Sequence, residues 1–226
     1  QFQAATVGPL VSLPFDEGGG TTANSTVGGY VCNLSSVGWG SPGLIGASSF
    51  SLDGVRYCTI ASTPALRPTT QFTLAGWFKA STTDTGGGTI VALPNDAAIL
   101  YLNNTGHLVC QLYNGVSFNS VVSAPTYLNN VKTFASCSYQ QGTGIVMRVN
   151  HTTVGALSLS IPIDYSLGGT ENVEVGRSSG SPLDYGFIGI LDQVEIRDTP
   201  LSDADDLALY QQGLTLVRRM IGTVLR

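Results

Sequence analysis

Apolar and polar residues alternate along much of this chain, and a period of two predicts β-strands with one face on a core. The clearest run extends from Ile188 to Ile196, where the apolar positions 188, 190, 194 and 196 share one parity with Asp192. A carboxylate facing a core costs several kcal/mol unless it is paired, so we expect Asp192 to have a definite partner. Further strands are predicted at residues 71–80, 89–93, 98–102, 107–113, 132–139 and 144–150.

A short helix is predicted after the last of these strands. Pro200 ends the strand, Ser202 is suited to cap a helix, and acidic residues at 203, 205 and 206 fall in the first turn, where the helix dipole favours negative charge. Gly213 is expected to end the helix. The pattern therefore predicts an all-β chain with a short C-terminal helix.

Composition narrows the class of protein. Hydrophobic residues make up 42% of the 226 residues and charged residues only 11%, which favours a single folded domain. The net charge of -5 provides no basic footprint for nucleic acid. No apolar run approaches the roughly 18 residues of a membrane-spanning helix. We therefore expect no nucleic-acid partner and no membrane span.

Cysteines and sequons favour an extracellular protein, either secreted or on the cell surface. The four cysteines include no Cys-x-x-Cys pair, so two disulfides are a better interpretation than a zinc site. The first residue, Gln1, fits a mature protein whose signal peptide has been removed. The cysteines are Cys32, Cys58, Cys110 and Cys137, and the predicted N-glycosylation sites are Asn24, Asn33, Asn103 and Asn150.

Three stretches resemble the laminin G-like branch of the concanavalin A-like lectin/glucanase superfamily. Residues 189–196 match its Gly-x-Ile-Asp-Glu-Val-x-Ile strand, with Gln193 in place of Glu. Residues 10–21 match its opening Leu-x-x-x-x-Phe-Asp-Glu-Gly-x-Gly-Thr, and residues 72–79 match Phe-Thr-Leu-x-x-Trp-Phe-Lys. One departure is Lys132, which stands where the family usually has Trp. The resemblance implies a jelly-roll β-sandwich of two antiparallel sheets.

The resemblance also implies a division of the chain. Residues 10–213 form the predicted laminin G-like domain, residues 1–9 an N-terminal extension, and residues 214–226 an apolar and basic tail that is a candidate assembly element. Within the domain, Cys58 is expected to bridge to Cys32, and Cys110 to Cys137 because their strands follow one another. Sequence alone allows three pairings.

A structural calcium ion is a further implication of the resemblance. Several branches of the superfamily hold calcium between the first and last strands, which here would use the carboxylates of Asp16 and Asp192. The alternative is that these carboxylates accept hydrogen bonds from turn amides. No other cofactor is expected.

Catalysis is not supported by the residues present. The Glu-x-Asp-x-x-Glu strand of related glucanases does not occur. The nearest clusters are Glu171 with Glu174 and Asp192 with Glu195, and residues three apart on a strand point to opposite faces. We therefore expect a protein that is not an enzyme.

Two functions remain. The first is a structural glycoprotein that self-assembles with copies of itself into a filament or surface layer through its terminal extensions. The second is a carbohydrate-binding lectin or adhesion module, in which aromatic rings stack on sugars. Trp77 has an alternative role, packing under a loop or a second layer of the sandwich. The candidate stacking residues are Trp39, Trp77 and Tyr113.

Overall fold

The structure is a computed structural model that describes residues 8–83, 86–178 and 186–224, with the side chains of the C-terminal helix described as far as residue 215. The described residues form sixteen strands, one α-helix (α1, Asp203–Val224) and two short 3₁₀ turns, Pro64–Leu66 and Pro94–Asp96. The strands are Val11–Leu13 (β1), Thr22–Asn24 (β2), Val31–Leu34 (β3), Trp39–Gly40 (β4), Ser49–Asp53 (β5), Cys58–Ile60 (β6), Gln71–Ala80 (β7), Gly88–Ala92 (β8), Ala98–Leu102 (β9), His107–Tyr113 (β10), Phe118–Thr126 (β11), Thr133–Gln140 (β12), Gly144–Val149 (β13), Thr152–Leu157 (β14), Val173–Val175 (β15) and Ile188–Arg197 (β16).

The strands pair into two eight-stranded antiparallel sheets. Sheet I has the order β14-β13-β12-β7-β16-β5-β4, with β1 paired to the C-terminal half of β16. Sheet II has the order β11-β10-β9-β8-β15-β6-β3-β2. The predicted jelly-roll β-sandwich is therefore confirmed.

One hydrophobic core fills the space between the sheets. Strand β7 sends Phe72, Leu74 and Phe78 into it, and each of these residues is fully buried. The disulfide Cys110–Cys137 crosses this core from β10 to β12. This pairing is confirmed, but the expectation that the two cysteines lie in successive strands is wrong, because β11 lies between β10 and β12, which belong to different sheets.

The second disulfide, Cys32–Cys58, is also confirmed and lies within sheet II. It joins the neighbouring strands β3 and β6 and so fastens residues 23–47 to the sheet. Strands β3 and β4 lie within this segment, and β2 reaches into it. Closing a loop of 26 residues in the unfolded chain stabilises the fold by about 3 kcal/mol in the chain-entropy account.

Strand β16 contains a bulge that changes which side chains face the core. Gln193 has a φ of 47°, and the register of β16 against β7 shifts between Asp192 and Glu195. As a result Leu191, Val194 and Ile196 face the core. The parity predicted from the sequence is therefore wrong before the bulge, and Asp192 turns to the outer face of sheet I.

Helix α1 begins as predicted and ends later than predicted. The amide of Asp205 donates to the Ser202 hydroxyl at 3.2 Å, which is an N-cap. The helix does not stop at Gly213 but continues to Val224. Gly213 instead allows α1 to lie close to Trp77, since a Cβ at this position would lie 2.6 Å from three atoms of the indole. In the described part of the chain, we find no helix that combines the length and apolar character needed to cross a membrane.

Candidate functional site

Trp77 lies on the outer face of sheet I beneath α1. Its ring stacks on Tyr210 of the helix, with centroids 5.7 Å apart, and contacts Phe134 at 5.4 Å. The ammonium of Lys132 lies 4.3 Å from the ring centroid. Only 3% of Trp77 is exposed, so the docked helix leaves no ring face for a sugar. Trp77 is therefore a packing residue, but the element that covers it is α1 and neither a loop nor the second sheet.

Trp39 is half-buried at the edge of sheet I. Its indole Nε1 donates to the carbonyl oxygen of Gly20 at 2.9 Å, and its ring packs against the core. The residue thus fastens the glycine turn near the first strand to β4. We do not place it in a ligand site.

Tyr113 belongs to an open aromatic pair on sheet II. It is directly opposite Phe118 across the β10–β11 hairpin, with ring centroids 5.2 Å apart and 54° between the ring planes. Phe118 is 41% exposed, Val122 is 51% exposed, and Val116 at the hairpin tip is 88% exposed. We call these four residues the hairpin surface.

The tip of this hairpin is held by its own hydrogen bonds. The Asn114 carbonyl oxygen Oδ1 accepts from the amides of Val116 at 2.9 Å and Ser117 at 2.7 Å. Gly115 between them has a φ of 89°, which a glycine adopts without strain. Sequence reasoning found Tyr113 but missed Phe118, because residues 118–126 include Pro125 and lack a regular alternation.

Two carboxylates hold the segment 44–48 against sheet I. Asp192 is fully buried, and its Oδ2 accepts from the amide of Ile45 at 2.8 Å. Asp16 Oδ1 accepts from the amides of Ala47 at 2.7 Å and Ser48 at 3.3 Å. Asp192 therefore has the definite partner that the sequence required, although it faces away from the core.

This arrangement does not fit a calcium ion. Calcium takes six to eight oxygen ligands, whereas the amides of Ile45, Ala47 and Ser48 already donate to one oxygen of each carboxylate. Lys132 Nζ, itself a cation, donates to the carbonyl oxygen of Leu44 at 2.9 Å. Within the described ranges no three His, Cys, Asp or Glu side chains form a metal-binding group. The buried Oδ1 of Asp192, which has no hydrogen-bond partner in the described part, is the one feature suited to a further ligand.

Burial shifts the pKa values of the two charged residues beside Trp77, Asp192 and Lys132. Burial raises the pKa of Asp192 to about 8 against the opposing hydrogen bond from Ile45, and repulsion from Asp16 adds to the rise. Burial also lowers the pKa of Lys132 to about 8, and the attraction of Asp192 opposes this change. The site thus contains an acid and a base whose pKa values lie close together.

Comparison with known proteins identifies the family. A laminin G-like model of the concanavalin A-like lectin/glucanases superfamily matches residues 52–205, more than half of the chain. The chain belongs to this superfamily. No curated protein sequence matches it.

Several solved structures with the same fold are binding domains of toxins. The binding domain of Paraclostridial Mosquitocidal Protein 1 is 14% identical with a TM-score of 0.70, and the match covers 89% of this chain and 51% of that one. The binding domain of botulinum neurotoxin DC matches in complex with rat synaptotagmin II (12% identity, TM-score 0.66) and in complex with SialylT (13%, 0.63), with 90% of this chain and 51% of each covered. This chain therefore spans about half the length of these structures, and at such identities the likeness shows the fold alone.

The bulge in β16 also revises the catalytic comparison with glucanases of the superfamily. Asp192 and Glu195 were expected on opposite faces, but the register shift places them opposite Trp77 and Ala75, which share the outer face. Glu195 is paired with Arg197 at 2.8 Å, and α1 covers this part of the sheet. The two carboxylates therefore have structural partners.

The four predicted glycosylation sites lie on turns and strands of this superfamily domain. Asn24, Asn33 and Asn150 are exposed, and Asn103 is half-buried. Asn24 and Asn33 lie on one face of the β2–β3 hairpin, since Asn33 pairs with Thr22. Their occupancy stays a prediction, and their positions allow access to a modifying enzyme.

Proposed function

We propose that this chain is a non-catalytic recognition module that binds carbohydrate through the hairpin surface. The observation that carries the proposal is the open pair of Tyr113 and Phe118 at the exposed edge of sheet II. Aromatic faces suit the apolar face of a pyranose, and an exposed apolar strip on a folded domain often marks a binding site.

Polar groups beside the hairpin surface support a sugar as its ligand. Gln111 is the neighbour of Tyr113 on the same face of β10, and its Oε1 accepts from the Tyr101 hydroxyl at 3.1 Å. Ser120, which is exposed, is directly opposite Gln111. Side-chain amides and hydroxyls next to an aromatic platform provide both donors and acceptors for sugar hydroxyls.

The comparisons give this proposal further support. The superfamily includes lectins by name, and the solved structures are binding domains, one of them in complex with SialylT. We also propose an extracellular location, because the two disulfides of this chain persist best in an oxidising environment.

A glycan array tests the proposal. We expect the intact chain to bind a defined set of glycans, and Tyr113→Ala and Phe118→Ala each to weaken binding at least about tenfold, as loss of one stacking ring predicts. Val55→Ala is the matched control, since this valine is 76% exposed but lies between β5 and β6. The proposal fails if no glycan binds, or if both ring variants bind like the control.

Self-assembly is the second candidate, and one observation favours it. Helix α1 continues eleven residues past Gly213, from residue 214 to 224, through the segment proposed as an assembly element. The comparisons do not support this function, so carbohydrate binding stands first. Sedimentation of the intact chain over a hundredfold concentration range tests it, and a constant monomer mass would exclude a filament subunit.

A further inference from the structure

An open cleft lies between the 3₁₀ turn at residues 64–66 and the segment before β15. It has a volume of about 450 Å³, which is in the range of small-molecule sites. We call it the Arg67 cleft. It is lined by Ser62, Thr63, Pro64, Arg67 and Glu171.

The guanidinium of Arg67 is held in a fixed position. Its Cζ lies 5.6 Å from the centroid of the Tyr165 ring, and its Nε donates to the Ser62 hydroxyl at 3.0 Å. The ring is itself anchored, because the Tyr165 hydroxyl donates to the carbonyl oxygen of Pro68 at 3.0 Å. The side chain of Arg67 is 29% exposed. A guanidinium fixed in this way loses little entropy when it binds a ligand.

The outer edge of this guanidinium is open. Neither terminal nitrogen of Arg67 donates a hydrogen bond to any residue in the described ranges. The nearest carboxylate oxygen, on Glu171, is 3.8 Å from Nη2, which is too long for a hydrogen bond. The Glu171 side chain is 81% exposed, so this ion pair is weak and a ligand can replace it.

We propose that the Arg67 cleft binds the carboxylate of an acidic sugar, such as a uronic or sialic acid residue at the end of a glycan. Two parallel hydrogen bonds from Arg67 match the geometry of a carboxylate. The Thr63 hydroxyl and the Glu171 carboxylate then meet sugar hydroxyls. This inference rests on the proposed carbohydrate-binding function and specifies its ligand class.

One segment links the cleft to the hairpin surface. The amide of Asp164 donates to the carbonyl oxygen of Tyr113 at 3.0 Å, and the next residue, Tyr165, supports Arg67. Consecutive residues thus contact Tyr113 of the hairpin surface and Arg67 of the cleft. One oligosaccharide is therefore expected to place its acidic end on Arg67 and a neighbouring ring on the hairpin surface.

Matched glycan pairs test the inference on the intact chain. We would titrate sialyllactose against lactose, and methyl glucuronide against methyl glucoside, by calorimetry or ligand-detected NMR. The acidic member of each pair is expected to bind about tenfold more tightly, a difference of about 1.4 kcal/mol. Arg67→Gln is expected to abolish this preference. Arg67→Lys keeps the charge but loses the two parallel donors of the guanidinium, so this variant is expected to retain part of the preference.

Val55→Ala is the matched control, since Val55 is 76% exposed and does not line the cleft, and this variant is expected to keep both affinities. Glu171→Gln is a further variant of the cleft itself. It removes a like charge from the cleft and keeps the side-chain shape, so acidic sugars are expected to bind at least as tightly as before. Thermal melting of each variant separates a folding defect from a binding defect. Equal affinity for both members of each pair, with glycan binding still lost in Tyr113→Ala, overturns the acidic ligand class alone. Absence of binding to every glycan overturns the proposed function as well.

Discussion

Two aromatic sites on the outside of the sandwich differ in what covers them. Trp77 on sheet I stacks on Tyr210 of α1, contacts Phe134 and is 3% exposed. Tyr113 and Phe118 on sheet II contact each other with their ring planes 54° apart, and Phe118 is 41% exposed. Both sites arise from aromatic residues on the outer face of a strand. The difference comes from α1, which covers Trp77 on sheet I and does not cover the hairpin surface on sheet II.

This difference separates a structural role from a recognition role. The covered site, made of Trp77, Phe134 and Tyr210, attaches α1 to the sandwich, and the free energy of its burial contributes to folding. The open hairpin surface keeps its apolar area available for a ligand. An outward-facing aromatic residue is therefore a candidate for ligand binding only if no other element of the fold packs over it.

The largest expected effect is the loss of the covered ring. Trp77→Ala is expected to lower the free energy of unfolding by about 3–5 kcal/mol, since it leaves a cavity under α1 and removes the partner of Tyr210 and Lys132. Urea denaturation followed by far-UV circular dichroism measures this change. Tyr113→Ala is the matched control at the open site, with an expected loss below about 1 kcal/mol. Equal losses in the two variants would contradict the contrast between the sites.

The charges beside the covered ring predict a stability minimum near pH 8. The folded pKa of Asp192 is about 8 against an ordinary 3.8, so unfolding releases a proton between these values and stability falls as pH rises through this window. The folded pKa of Lys132 is about 8 against an ordinary 10.5. Between those values the unfolded chain binds the additional proton, so stability rises with pH.

Two variants separate the two limbs of this pH profile. Asp192→Asn is expected to remove the fall between about pH 4 and 8, and Lys132→Met the rise between about pH 8 and 10.5. Urea midpoints measured at intervals of one pH unit check both. A wild-type profile that matches that of Asp192→Asn across the acidic limb would show that the folded carboxyl group is ionised below pH 8.

Much of the sandwich could be predicted because alternation and family motifs are local signals. Strand β7 was predicted at residues 71–80 with its observed bounds, and both disulfide pairings are confirmed. The parity of Asp192 could not be predicted, since the bulge at Gln193 depends on pairing between β16 and β7. Because Gln193 has a positive φ, the residues of β16 before it face the opposite side of the sheet from the one predicted.

The sites were less predictable than the fold. Tyr113 was found because aromatic residues in strands are visible in sequence, but Phe118 became its partner only through the hairpin register. The Arg67 cleft joins residues more than one hundred positions apart in sequence, namely Arg67 and Glu171. No local sequence pattern predicts that Arg67 and Glu171 lie together, so the sequence indicated Trp77 as a site residue and did not indicate Arg67.

The smallest expected effect tests how tightly α1 covers Trp77. Replacing Gly213 by Ala removes a helix penalty of about 1 kcal/mol, but its Cβ would lie 2.6 Å from Nε1, Cε2 and Cζ2 of the indole. Overpacking of this kind costs about 1–3 kcal/mol. We therefore expect Gly213→Ala to destabilise the fold by about 1 kcal/mol and to shift tryptophan fluorescence to the red.

Gly19→Ala is the control for this substitution. No heavy atom lies within 4 Å of a Cβ built at Gly19, so its stability and fluorescence are expected to match the wild type. If Gly213→Ala is instead more stable than the wild type and its emission is unchanged, the helix yields without cost. The cover over Trp77 would then be loose enough to open, and the difference between the two aromatic sites would be one of degree, because a ligand could reach Trp77 as well.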